Sequence, residues 1–307
     1  MHLQLPDQAL VVKCVYISWC AALGCLARLY TDDIGNGNPA LQGSFLSNAI
    51  GSFALGILSA SDLNEDTLPH LYTGITVGFC GAYTTYSGWN LRMARVALRH
   101  DVSDPSGAIV AVVGVVVSLS FFIACFVAGT DLVKTMAACG RLHWRGDRSA
   151  LNIRVGRAMG VLGFMYTLLA VLLIVDDRGG RRPDWVACMF APFGALARFF
   201  LSRMLNARWR GGAFPIGTFA ANVSGCLAMA LAYYGALKNP LSGWNSIVLK
   251  GFQAGFLGSL TTMSSFAGEV FGHRGKHSAA ASYVYLTATA VVALGIALVV
   301  GAAFGVR

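Results

Sequence analysis

The side chains with chemistry to offer are neutral ones in apolar surroundings. Asn48 lies in "GSFLSNAIG" and Asn222 in "GTFAANVSG", each five residues after a glycine. An amide at membrane depth must find partners or line a wet path, because an unpaired buried polar group costs about 1–3 kcal/mol. Bonding between helices and contact with an ion are both open to it. Two Gly-rich segments, "GITVGFCGAYTTYSGW" (74–89) and "GFQAGFLGSLTTMSSF" (251–266), carry the pairs Thr84-Thr85 and Thr261-Thr262, followed by Ser87 and Ser264. Glycine lets backbone unwind, and unwound backbone at that depth is tolerated where it is buried in protein or lines a cavity. Carbonyls freed by two such breaks, brought together, could hold a small cation such as sodium; close helix packing is the other use of the same small residues.

Near the C-terminus, Tyr283 with Thr287 and Tyr285 with Thr289 are four residues apart, so either pair stacks on one helix face as a short polar track. Amide N–H groups, hydroxyls and positive aromatic ring edges are all donors for an anion, and being neutral they replace its hydration without trapping it. A small, strongly hydrated anion fits best. Arg28 and Arg198 end apolar runs, where arginines snorkel to the interface and cap helix carbonyls, or form an electropositive vestibule.

The elements that must position these groups are membrane helices. The chain is 307 residues long, 56% apolar and only 12% charged, against about 25% charged in soluble domains. Nine apolar runs near the bilayer-crossing length recur at about 10–30, 41–60, 68–91, 106–130, 155–175, 185–202, 213–235, 246–267 and 279–304. Charged residues concentrate in the gaps, as a polytopic helical protein requires. The longest polar stretch, 131–154, is too short for a catalytic domain, so no enzyme is expected. The net charge of +9 comes largely from loop arginines, including Arg141, Arg145, Arg148, Arg154 and Arg157. Such a basic loop marks a cytoplasmic face rather than nucleic acid. Lys and Arg divide almost evenly between the two sides and leave orientation open. Eight cysteines show no C-x-x-C spacing and indicate neither disulfides nor metal.

The chain is an internal repeat. "GCLAR" (24–28) returns as "GALAR" (194–198), the asparagine motif returns at an offset of 174, and the threonine segment returns at 177 with 7 of 16 residues identical. Chance similarity of apolar segments would not reproduce Arg, Asn and Thr-Thr in order. Residues 1–130 form the first four-span repeat, 131–184 the basic loop and a linker span, and 185–307 the second repeat. Five spans precede the second repeat, so it enters the membrane from the opposite side, which places functional sites at the interface near the midplane. No Lys, Arg, Asp or Glu falls deep in any of these runs, which disfavours the proton-coupled transporters that share inverted repeats with broken helices.

The doubled G-x-x-x-R, G-[ST]-x-x-x-N and G-F-x-G-x-x-T-T-x-S motifs resemble the fluoride channel family called CrcB or Fluc in bacteria and FEX in eukaryotes, over nearly the whole chain. The resemblance implies an all-α membrane protein, two inverted four-helix repeats joined by a linker helix, with broken third helices crossing at the pseudo-twofold axis. It implies a passive fluoride channel working as a single chain in the lipid bilayer, expected in the plasma membrane. It also implies a structural sodium held by the carbonyls of Gly81, Thr84, Gly258 and Thr261. Pore residues would be Asn48 and Asn222, with Thr85, Thr262, Ser87 and Ser264 as further anion contacts and Arg28 and Arg198 at the vestibule. The family's phenylalanine positions read Tyr86 and Trp89 in the first half and Met263 and Phe266 in the second. Glu269 after the second box matches the family, where Arg92 stands in the first. One conducting pore is therefore expected, since one of two symmetry-related pathways is free to decay.

Overall fold

A computed structural model describes residues 8–36, 43–63, 67–98, 106–139, 180–208, 214–276 and 278–305, with scattered positions between 160 and 175. Among them there is no strand. The first half runs through α1 (Gln8–Asn36), α2 (Phe45–Ala60), a broken third span and α6 (Ser106–Ala138). The broken span comprises α3 (Pro69–Thr73), a π-helical stretch (Gly74–Cys80), α4 (Gly81–Tyr83) and α5 (Tyr86–Leu98). The second half repeats the order with α7 (Arg182–Arg208), α8 (Ile216–Lys238), α9 (Gly243–Gly251), a π-helical stretch (Phe252–Leu257), α10 (Gly258–Leu260), α11 (Ser264–Lys276) and α12 (Ala279–Ala303). Five of these helices, α1, α6, α7, α8 and α12, are long and apolar enough to cross a membrane. The protein is an integral, multi-pass, all-α membrane protein.

Helix in the broken spans is interrupted where the sequence places Thr-Thr after glycine. Thr84 and Thr261 take extended backbone, and the chain restarts as α5 and α11. That restart carries each helix past the end of its apolar run, to Leu98 and Lys276. Arg92 and Glu269 thus become helix-interior residues. The expectation that no charged group lies inside a span is corrected here: hydropathy averages over a window, and the break resets where the membrane helix ends.

The halves dock through their first helices. Within each half, Gly24 of α1 and Gly194 of α7 lie against the carbonyls of Phe79 and Phe256, with no room for a Cβ. These are repeat-equivalent contacts, and they explain the glycine of the G-x-x-x-R motif. Outside the membrane core, Arg181 bridges Asp33 and Asp184 at 2.9 Å each and stacks over Tyr30 at 4.3 Å. The start of α7 is thereby pinned to the end of α1. Of the linker span at about 155–175, Gly163 meets Trp19 and Tyr166 packs beside Cys25 and Ala187. Its boundaries, and the loop arginines from Arg141 to Arg157, lie outside the described residues.

Candidate functional site

The two breaks meet and are stitched by hydroxyls. Thr84 Oγ1 lies 3.2 Å from Thr262 Oγ1 and 3.0 Å from Ser264 Oγ, and accepts the N–H groups of Met263 at 3.3 Å and Ser264 at 3.1 Å. Thr261 Oγ1 repeats this toward the first half, 3.2 Å from Thr85 Oγ1 and 2.9 Å from Ser87 Oγ, accepting the Ser87 N–H at 3.0 Å. Ser87 Oγ donates to the Leu257 carbonyl at 3.3 Å and Ser264 Oγ to that of Cys80 at 3.2 Å. These partners are related by one offset of 177, so the crossing is a pseudo-twofold. Thr85, Thr262, Ser87 and Ser264, expected as anion contacts, have their hydroxyls engaged in this stitching.

Each asparagine holds a break open. Asn48 Nδ2 donates to the Thr85 carbonyl at 3.0 Å while its Oδ1 accepts the Thr85 N–H at 2.8 Å. Asn222 does the same for Thr262, at 3.2 and 2.9 Å. The amide replaces the helical partners that the break removes, using one of its two N–H donors. Diverting the Thr85 and Thr262 N–H groups leaves the carbonyls four residues earlier, at Gly81 and Gly258, without helical partners. Among the described residues no hydrogen bond reaches the carbonyls of Gly81, Thr84, Gly258 or Thr261, and all four residues are buried. Four orphaned hard oxygen donors, two from each half, are a chemically suitable set for a small cation.

The two arginines do not snorkel. Arg28 is 2% and Arg198 4% exposed. Arg28 donates to the carbonyls of Ala82 at 2.8 Å and Ala254; Arg198 donates to those of Ser259 at 3.1 Å and Val77 at 2.7 Å. Each guanidinium binds one carbonyl of its own half and one in the other half's π-helical stretch, and lies where a Cβ on Gly258 or Gly81 would sit. They are cross-pins between the repeats, because widened helical turns leave carbonyls for them to satisfy. Arg28 also borders a cavity of about 280 Å³ that reaches Asp32, Ser44, Thr85 and Lys250.

Beyond the crossing, α5 and α11 contribute to one aromatic core. Tyr86 and Phe266 pair edge to face, centroids 5.3 Å apart at 75°, across the two halves. Tyr86 also meets Trp89 at 5.3 Å, and Phe266 meets Tyr285 at 5.1 Å. Trp89 continues to Phe122 at 6.4 Å, and Met263 is packed in the same cluster. Tyr86 and Met263 are fully buried, Phe266 likewise, and Trp89 is 2% exposed. The Tyr86 hydroxyl and the Trp89 indole N–H have no hydrogen-bond partner among the described residues.

The four hydroxyls of α12 separate. Tyr285 and Thr289 face the core, whereas Tyr283, 59% exposed, and Thr287 face outward, so only one of the two expected tracks is internal. Tyr285 donates to Glu269 at 2.7 Å, and Thr218 donates to the other Glu269 oxygen at 2.6 Å. Thr289 donates to the Tyr285 carbonyl at 2.8 Å. Sequence reasoning missed Thr218 and its counterpart Ser44, which donates to Asp32 at 2.6 Å with Ser47 at 2.7 Å. The signal was available, since both hydroxyls follow the glycine of the repeated asparagine motif.

The family described as CrcB-like protein, Camphor Resistance (CrcB) matches residues 15–130 and again 185–302. The chain belongs to the CrcB family. It is 30% identical to Fluoride export protein 1 of Candida albicans over 267 residues, 81% of this chain and 66% of that protein. It is 34% identical to Fluoride export protein 1 of Neurospora crassa over 265 residues, 77% of this chain and 48% of that protein. The chain thus spans about half to two thirds of the fungal relatives' own lengths. A Fluoride-specific ion channel FluC of Paracidovorax citrulli is 41% identical over 87 residues, 28% of this chain. No solved structure matches the chain.

Proposed function

We propose that this CrcB-family protein is a fluoride channel, not an enzyme, that releases fluoride passively through one pathway formed jointly by the two halves. The observation that carries the reading is the Tyr86–Phe266 pair, drawn from both halves, with the unpartnered Tyr86 hydroxyl at one end and the Tyr285–Glu269–Thr218 chain at the other. A buried O–H without a partner costs about 1–3 kcal/mol, a cost an anion accepting that hydrogen bond removes. Ring edges supply the remaining positive potential without a fixed charge. The names of the fungal and bacterial relatives support fluoride as the ion.

On this reading the second route, past Met263, Trp89 and Phe122, is closed by packed apolar groups. Sodium bound at the carbonyls of Gly81, Thr84, Gly258 and Thr261 would supply fixed positive charge at the crossing and hold the two breaks together. The flanking Arg28 and Arg198 guanidiniums favour a monovalent ion there over a divalent one. The chain carries both repeats and works without a second copy, in the plasma membrane. An inside-negative potential adds about 2.3 kcal/mol per charge per 100 mV toward expulsion of the anion.

The test is ion efflux from liposomes holding the purified protein. Fluoride loss driven by voltage alone, with chloride retained, is expected; equal passage of chloride would overturn the reading. A second reading, a secondary transporter of a small solute, gains from Glu269, because a carboxylate beside the path supplies a coupling group that the apolar runs themselves lack. Strict dependence of fluoride flux on a proton gradient would favour it.

A further inference from the structure

We propose that the groove between α6 and α12, bordered by α11, binds one anionic glycerophospholipid, an acyl chain in the groove and the phosphate on Arg274. The groove encloses about 790 Å³ and is walled by Val116, Ile123, Val270, Leu286 and Leu294. Sites of this size bury most of a small ligand's surface. Its cation, Arg274, borders one end, with Ser282 and Tyr283 beside it. Arg274 is exposed and makes no ion pair or hydrogen bond to a described residue.

Depth and length fit a lipid of one leaflet. Arg274 stands ten residues after Ser264, where the broken spans cross, so at 1.5 Å per residue it lies about 15 Å from the crossing. That is half of a hydrocarbon core about 30 Å thick, its boundary with the headgroups, from which an arginine side chain reaches outward to the phosphates. Along α12 the lining runs from Ser282 to Leu294, about 18 Å of helix, which is one leaflet's acyl depth. A basic side chain at the wet end of an apolar groove selects an anionic headgroup.

Among the described residues no segment fills the groove. The described part of the linker span packs against Trp19, Cys25 and Ala187, none of which lines the groove. The repeat-equivalent of Arg274 is Ala97, so the pseudo-twofold does not reproduce the cation and one such site is expected.

Native mass spectrometry of the purified full chain, equilibrated with equal phosphatidylglycerol and phosphatidylcholine, tests this. The unmodified protein should retain one phosphatidylglycerol in preference. Arg274→Gln should lower that preference about fivefold. Val116→Trp, at a position 59% exposed, should fill the groove and remove retained lipid of both headgroups. Equal retention of the two lipids by the unmodified protein, or unchanged retention in both variants, overturns the proposal. So does a stable dimer without bound lipid, which would make a second copy the occupant. If Val116→Trp does not fold, the headgroup preference of Arg274→Gln decides alone.

Discussion

The helices α5 and α11 begin from the same break and then diverge. Both follow Thr-Thr, both are held by an asparagine, and both offer a serine to the opposite half. From there α5 presents Tyr86, Trp89 and Arg92, while the second half presents Met263, just before α11, and then Phe266 and Glu269 on it. Trp89 points into apolar neighbours at Phe122, while Phe266 points to Tyr285 and through it to a carboxylate. The repeated hydroxyl after the motif glycine tells the same story, since Ser44 serves Asp32 on α1 and Thr218 serves Glu269 on α11. Shared residues build the crossing, and unshared ones distinguish the two routes past it. A duplicated scaffold constrains what joins the halves and leaves what lines each side free to differ.

The largest expected effect tests the shared part. Asn48→Ala and Asn222→Ala each leave a buried N–H and C=O unpaired, for about 2–6 kcal/mol of lost stability apiece at about 1–3 kcal/mol per group. Thermal unfolding in detergent should find the two alike. A large difference between them would break the pseudo-twofold reading of the crossing. Because both asparagines are structural, loss of flux in either variant cannot by itself count pores.

Next in size is the contrast between the routes. Phe266→Leu removes ring pairing with both Tyr86 and Tyr285, at about 0.5–1.5 kcal/mol per pair, and should cut fluoride efflux from liposomes about tenfold, the equivalent of about 1.4 kcal/mol. Trp89→Phe should leave efflux within about twofold. The reverse pattern would move conduction to the Trp89 side. Tyr285→Phe follows, losing a hydrogen bond to a carboxylate at about 1.5–3 kcal/mol of stability, and its efflux should fall while that of Tyr283→Phe does not. The smallest effects belong to Tyr283→Phe and Thr287→Val, both membrane-facing, whose unfolding free energies should match that of the unmodified protein to within about 0.5 kcal/mol.

Much of this was legible in the residues. Nine apolar runs, three doubled motifs and the position of Thr-Thr after glycine specified a helical membrane protein with two broken spans. What misled was treating a membrane span as one apolar window. A break near the crossing lets α11 run to Lys276, so Glu269, just outside its window, joins the core. The two candidate hydroxyl pairs on α12 satisfied the same four-residue spacing. Only the neighbours of that helix chose Tyr285 and Thr289 over Tyr283 and Thr287.

The sequence by itself determined the class of the protein and the equivalence of its halves, because hydropathy and motif spacing are local properties that survive without contacts. It also determined where backbone would open, since glycine followed by Thr-Thr supports a break wherever it folds. Only the tertiary structure decided how each group is spent. Arg28 and Arg198 read as surface cations until the widened turns of the opposite half gave them buried carbonyls. Tyr86 and Phe266, 180 residues apart in sequence, become one ring pair only when the halves cross. Partners so distant are selected by packing, which no spacing within either half encodes.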